Sequence, residues 1–180
     1  MKRPIAVVSS LDRGKVLDGF QRDIVELLPR LRRLARVMAR DFADADDLVQ
    51  LSVERALGRR DQWRPGTRLD SWMFRIMKNA WIDETRARTR KGRVVESGLQ
   101  SENIADASVA TMEIRLEAAA AERALAQLPE DQRVAVALVL IDGLSYREAA
   151  EVLEVPVGTL TSRLVRGRMA LQEQLLGAEI

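Results

Sequence analysis

The chain has 180 residues, and its 29 Lys and Arg nearly balance 27 Asp and Glu, so the net charge of +2 leaves any nucleic-acid role to how the charge is distributed. It contains no cysteine and no histidine. That excludes a disulfide framework, a thiolate metal site and every His-based acid–base or metal constellation. Aromatic residues make up only 4%, while Ala, Leu, Arg and Glu are abundant, and no segment alternates as a strand would. The reading is all-α, as one domain or two small ones. The opening MKRPIAVVSSLDRG has only the short apolar run Ile5–Val8, too short for a signal peptide, and no later segment approaches a membrane span. A soluble cytoplasmic protein is expected.

After a tail over 1–15, a first helical block is expected over 16–93. Leu27, Leu31, Leu34 and Met38 recur at helical spacing, and Pro29 is expected to bend or restart that helix. Asp44, three residues before Asp47, is a candidate N-cap for the helix carrying Leu48, Leu51, Ala56 and Leu57. A magnesium cluster of Asp44, Asp46 and Asp47 is the alternative; no further carboxylate or phosphate motif accompanies it, which favours capping. DQWRPGTRLD marks a turn at Pro65-Gly66, after which Asp70 or Ser71 caps the long helix SWMFRIMKNAWIDETRARTRK. Its inner stripe is expected to hold Trp72, Ile76, Asn79 or Ala80, and Asp83. The stripe turns polar along the helix, which a purely structural helix does not need. Trp63, Trp72 and Trp81 are either stacking platforms or core; core is favoured for Trp72 and left open for Trp63.

The helix ends in RARTRKGR, five of whose eight residues are basic, whereas 94–114 carries four acidic residues and no basic one. With its Ser, Gly and Asn, that stretch reads as a flexible acidic linker between two domains. The second block, 115–180, opens with the Ala-rich RLEAAAAERALAQL, stopped at Leu128-Pro129. PEDQRVAVALVLIDG follows, with acidic residues in its first turn and Gly143 at its end, as helix electrostatics favour. Ser145 and Glu148 form an S-x-x-E capping box for a short helix that packs Ala149, Ala150 and Leu153 inward. Glu154-Val155-Pro156 is the turn into a last helix starting near Val157.

On a helical wheel of about 100° per residue, Leu160, Leu164, Gly167 and Leu171 share the packing face of that last helix, with Leu175 extending it. Thr159, Ser162, Val165, Arg166 and Met169 lie opposite, flanked by Thr161, Arg163 and Arg168. Residues 155–172 hold three arginines and no acidic residue. An ordinary solvated helix face mixes charge signs for i,i+4 pairing; this one does not. A short helix, a tight turn and a helix with a short-polar, arginine-bearing outer face make a helix-turn-helix. Arginine bonds a guanine edge bidentately or neutralises phosphate, and Ser, Thr and Gly let the helix sit close to the groove floor.

Here LPEDQRVAVALVLIDGLSYREAAEVLEVPVGTLTSRLVRGRMAL resembles the C-terminal DNA-binding domain of extracytoplasmic-function (ECF) sigma factors of the sigma-70 family. DADDLVQLSVERAL followed by LDSWMFRIMKNAWIDETRAR is similar to their N-terminal domain. The likeness spans about Phe20 to Leu176. It implies a sigma-2-type bundle over 16–93, a linker over 94–114 that threads the polymerase's RNA path, and a sigma-4-type domain over 115–180. By the same resemblance Asp47, Gln50, Glu54 and Arg55 dock on the clamp coiled coil of the largest subunit of core RNA polymerase, whose flap is a further contact. Without the resemblance, an ordinary solvated helix face is the preferred reading of those four. Gly66, Thr67, Arg68, Leu69 and Asp70, with Arg75 and Asn79, receive the minus-ten element of promoter DNA as a single strand, while Lys78, Arg86 and Arg88 hold phosphates. Thr159, Thr161, Ser162, Arg163, Val165 and Arg166 read the minus-thirty-five element. Thr161 stands where many relatives carry arginine and Val165 where some carry an aromatic residue, which leaves the bases read open.

The expected function is promoter-specific transcription initiation without cofactor or metal, restrained by an anti-sigma factor because the chain has no sensor of its own. One rival is a sigma-like decoy that sequesters such an inhibitor. Decoys usually carry a fused signalling domain, for which 180 residues leave no room, and need not keep basic DNA faces. Another rival is an ordinary dimeric helix-turn-helix regulator, which leaves the melting-type helix unexplained. An enzyme is disfavoured, because nothing supplies a base, nucleophile or metal site.

Overall fold

The computed structural model describes residues 18–39, 41–90 and 119–176, which are helical with no strand among them, in keeping with the all-α reading. The expected acidic linker and the start of the Ala-rich helix lie outside the described residues. The first block comprises α1 (Gly19–Ala39), α2 (Phe42–Gly58), a 3-10 turn (Arg60–Gln62) and α3 (Leu69–Arg90). The second comprises α4 (119–127), α5 (Glu130–Val136), α6 (Tyr146–Leu153) and α7 (Val157–Leu176); α5 runs on as a π-helical segment, Ala137–Ile141.

Apolar spacing builds the first block as expected. Leu31, Leu34 and Met38 of α1 are buried against Leu48 and Ala56 of α2 and against Met73, Phe74 and Met77 of α3. Each of these Leu, Met and Phe side chains contributes roughly 1.5–3 kcal/mol of gross hydrophobic stabilisation. Pro29 does not restart α1, which is one helix through Ala39. The carbonyl that loses its donor belongs to Val25, and both Val25 and Pro29 are exposed, so water can take the vacated bond while the apolar stripe holds both halves. The cap of α2 is Asp41 rather than Asp44: its carboxylate accepts from Ala43 N at 2.9 Å and Asp44 N at 3.1 Å. Asp44 instead pairs with Arg88, and among the described residues no acidic group of three or more is placed to hold a metal.

The Pro65-Gly66 turn forms as expected, with Gly66 at φ +87° and Thr67 N donating to Arg64 O at 3.1 Å. However, α3 begins at Leu69, ahead of both proposed caps, and Asp70 lies in its first turn. The buried stripe of α3 is also rotated from the expected one. Met73, Phe74, Met77, Ala80 and Trp81 are buried with Ile76, whereas Trp72 is half-buried and Asp83 is exposed. The cause is that α3 packs on two sides, against α1 and α2 and against α6 of the second block.

In the second block both halves of the capping box form: Glu148 N donates to Ser145 Oγ at 3.3 Å and Ser145 N to Glu148 Oε2 at 2.8 Å. Inward residues of α6 are Ala149, Ala150 and Val152, with Leu153 only partly covered. Glu154 closes α6 in the left-handed region, φ 56° and ψ 44°, the one non-glycine residue at positive φ among those described. That conformation costs about 1–2 kcal/mol for an L side chain. On α7, Leu160, Leu164 and Gly167 are buried and Leu171 is half-buried, but Leu175 is exposed, so the packing stripe ends a turn earlier than expected.

One apolar cluster joins the blocks, running from Phe20 and Trp81 to Val134, Leu138, Leu144, Ala149, Val152 and Leu160. A smaller one, Leu128, Val136 and Leu164, centres the second block. Arg133, only 2% exposed, crosses the junction. Its guanidinium donates to the carbonyls of Val37 and, at 3.4 Å, Met38 near the C-terminus of α1, where the helix dipole favours a cation, and to Leu128 O at 2.9 Å. Trp81 Nε1 donates to Glu130 Oε1 at 2.8 Å across the same seam.

Candidate nucleic-acid interface

The helix-turn-helix is set by the left-handed Glu154, whose turn is tied by Val155 N to Ala150 O at 3.1 Å. Its close packing depends on Gly167. A Cβ there would lie 2.9 Å from Val136 Cγ2 and 3.4 Å from Gln132 Cβ, so a bare backbone lets α7 approach α5. The opposite face of α7 carries Thr159, Ser162, Val165 and Arg166 exposed, Val165 at 50%, with Met169 beyond them. Thr161 and Arg163 are half-buried at the flank. Arg163 Nε pairs with Asp131 at 3.2 Å, which orients its guanidinium from behind. Ser162 Oγ donates to Gly158 O at 2.9 Å and Thr161 Oγ1 to Val157 O at 2.9 Å. Their hydroxyl hydrogens are turned into the helix, leaving oxygen lone pairs as acceptors. This surface therefore offers acceptors, an arginine fork and an apolar Val165, the set that distinguishes base edges in a major groove.

The α3 face is divided by the structure. Gly66, Thr67, Arg75 and Arg86 are exposed, and Leu69 and Asn79 are half-buried. Asp70 is buried and fixed by Arg30 Nη1 at 2.8 Å and Arg68 Nη2 at 2.6 Å. Burial opposes its ionisation, but hydrogen bonds from Arg68, Arg30 and Ser71 N outweigh it and hold its pKa at about 2. Asp70 here locks the loop onto α1 and is not presented at the surface. Arg88 is likewise committed: it bonds Asp44, at 2.7 Å for one contact, and Glu84 at 2.6 Å, and stands over the Trp81 ring. The hydrogen bond from Arg88 keeps the Asp44 carboxyl below its usual range. Lys78, 8% exposed, pairs with Glu154 at 3.1 Å. Trp63 stacks on Phe20 with ring centroids 5.2 Å apart, and Trp72 meets the same ring edge-on at 6.2 Å. Both buttress the loop.

Asp47, Gln50, Glu54 and Arg55 line one open groove between α2 and α3, together with Leu51, Asp83 and Glu84. Gln50 Nε2 donates to Glu54 at 3.0 Å, and Arg55 pairs with Asp83 at 2.9 Å. Asp47, Glu54, Asp83 and Glu84 line the groove, with Arg55 paired to Asp83 and Arg88 paired to Glu84, so the groove is acidic on balance. Sequence reasoning did not single out Arg30, Asp142, Glu148 or Glu154 as partners across the blocks. Asp142 was visible only as a helix end; its fully buried side chain accepts from Arg30 Nε at 3.2 Å and Arg33 Nη2 at 3.3 Å.

A helical bundle is joined to a helix-turn-helix, with an arginine-bearing outer face on α7 and an acidic groove between α2 and α3. Comparison with known proteins specifies it further. Residues 24–91 match the sigma-70 region 2 family model and residues 118–171 the sigma-70, region 4 model. The chain is 35% identical over 164 residues to the ECF RNA polymerase sigma factor EcfG of Rhodopseudomonas palustris, covering 90% of this chain and 89% of that one. It superposes on the sigma factor RpoE, solved in complex with the anti-sigma factor NepR from Bartonella quintana, with TM-score 0.74 and 29% identity over 88% of this chain and 98% of that one. For CnrH, solved in complex with the cytosolic domain of CnrY, the TM-score is 0.64 at 27% identity, over 89% of each chain. The chain belongs to the ECF sigma factors of the sigma-70 family. No helix among the described residues is long and apolar enough to cross a membrane.

Proposed function

We propose that the protein binds core RNA polymerase in the cytoplasm, directs it to promoters by reading two separated elements, and assists DNA melting. The observation that carries the reading is the outer face of α7. Ser162, Val165 and Arg166 are exposed on a helix with no acidic residue between 155 and 172, as recognition of the minus-thirty-five element requires. Thr159, Thr161 and Arg163 complete this reader. The loop from Gly66 to Leu69, with Arg75, Lys78 and Asn79, would hold the minus-ten element as an unstacked strand, capture of a base offsetting the cost of unpairing. Arg86 is the exposed cation for the flanking phosphates.

The acidic α2–α3 groove suits a basic helical hairpin such as a polymerase clamp, since complementary potentials set both encounter rate and register. The matched relatives are named RNA polymerase sigma factors, which supports that partner. RpoE was solved with an anti-sigma factor, which supports inhibition of this chain by a separate protein. The domain limits proposed are 16–93 and 115–180, with 94–114 as the linker.

The test is Arg166→Ala. Footprinting with core enzyme should lose protection of the upstream element while co-elution with core polymerase is retained. Unchanged promoter affinity would refute the assignment.

A further inference from the structure

Two arginines on the reading side of α7 are held by different groups. Arg166 Nε donates to Ser162 O, 3.2 Å away in its own helix, and so keeps its full charge. Arg163 is held from another helix: Asp131 Oδ2, in the first turn of α5, lies 3.2 Å from its Nε. That carboxylate is itself fixed, since its Oδ1 accepts from Gln132 N at 3.0 Å. Gln132 is also where α5 seats against α7. A Cβ at Gly167 would stand 3.4 Å from both Gln132 Cβ and Gln132 O, and Gly167 lies about one turn beyond Arg163. The bare backbone at Gly167 therefore brings Asp131 within reach of Arg163.

Stability does not account for this pair. The Arg163 side chain is 25% exposed and that of Asp131 45%, and an ion pair so open to water contributes little to folding. Nor does the pair favour phosphate binding: a fixed carboxylate beside DNA repels the backbone and offsets the charge that Arg163 would otherwise present. What remains is geometry. With Nε turned toward Asp131, the free edge of the planar guanidinium is the Nη1 and Nη2 fork, whose donors match the O6 and N7 acceptors of guanine.

We infer that Asp131 is a positioning residue for promoter reading: it offsets Arg163 as a phosphate anchor and aims it as a guanine reader within the minus-thirty-five element. That this element is read by α7 rests on the function proposed above. The consequence is a trade. Asp131 lowers affinity for DNA of any sequence and raises discrimination at one base pair, although it lies outside the reading helix.

The test uses holoenzyme assembled from core RNA polymerase and the full chain, unaltered or with Asp131→Asn. Asparagine keeps the shape and the acceptor for Gln132 N, removing the charge. Each guanine of the minus-thirty-five element is replaced in turn by 7-deazaguanine, which lacks the N7 acceptor, and binding to promoter and to scrambled duplex is titrated over a range of salt. The unaltered chain should lose about tenfold in affinity at one guanine. Asp131→Asn should lose less than about twofold there, bind scrambled duplex about two- to threefold more tightly, and steepen the salt dependence by about one phosphate contact. In an Arg163→Ala background the sensitivity at that guanine should already be gone, and Asp131→Asn should change it no further. Full sensitivity at the same guanine in Asp131→Asn, with only a lower urea-unfolding midpoint, would make Asp131 a structural acid of the first turn and overturn the inference. Protection of the element by the unaltered chain with no guanine dependence would overturn it too, and leave the promoter reading standing. Absence of any specific protection would overturn both.

Discussion

Gly167→Ala sets two physical effects against each other. In a helix interior, alanine is favoured over glycine by about 1 kcal/mol. Here the new methyl would lie 2.9 Å from Val136 Cγ2. Val136 is only 2% exposed and belongs to the small cluster with Leu128 and Leu164. As a β-branched side chain with a stiff χ1, it yields little, so the overlap is relieved by moving α7 from α5. Overpacking of this kind costs about 1–3 kcal/mol. The net expectation is a destabilisation of about 0–2 kcal/mol. Urea unfolding followed by circular dichroism reads it as a lower midpoint at unchanged slope. The cycle is sharper in the background of Val136→Ala, where the obstructing methyls are gone. There Gly167→Ala should stabilise, by up to about 1 kcal/mol. A single variant more stable than the parent, or the same change in both backgrounds, would refute the close-approach argument.

The ion-paired Asp70 predicts a pH dependence. Its folded pKa is depressed to about 2 from a reference of 3.8, so its contribution is fully present above pH 3.8 and is lost as pH falls through about 2. The size is about 1–2 kcal/mol after allowing for solvent screening. Asp70→Asn should flatten that part of the stability profile between pH 5 and pH 2.5; an identical slope in the variant would contradict the assigned lock. For the acidic groove, Glu54→Lys should weaken core-polymerase binding by about tenfold, with little effect on the unfolding midpoint because Glu54 is exposed. Equal affinity in a co-elution titration would remove the groove from the polymerase interface.

Much of the helical order was legible because it is written locally. The capping box at Ser145 and Glu148, the Pro65-Gly66 turn and the Leu160, Leu164 and Gly167 stripe depend on near neighbours and appear as expected. What escaped the sequence is non-local. Asp41 was not singled out as the α2 cap, because capping is decided by backbone geometry and several aspartates compete there. The α3 stripe was misplaced since a helix packed on two sides has no single polar face, and Trp81 is buried although Asp83 beside it is exposed. The π-helical run Ala137–Ile141 carries no sequence signal distinct from a helix. For the candidate interface, the exposed side of α7 could be read from the helical period. The pairing of Lys78 with Glu154, and the burial of Asp142 between Arg30 and Arg33, depend on residues far apart in the chain.

Run-off transcription with purified core RNA polymerase tests the central claim most directly. On promoter templates, addition of this protein should yield transcripts from one defined origin per promoter, absent with core enzyme alone and lost with Arg166→Ala. Failure to start transcripts at any defined origin, with the protein folded and core enzyme active, would contradict the account.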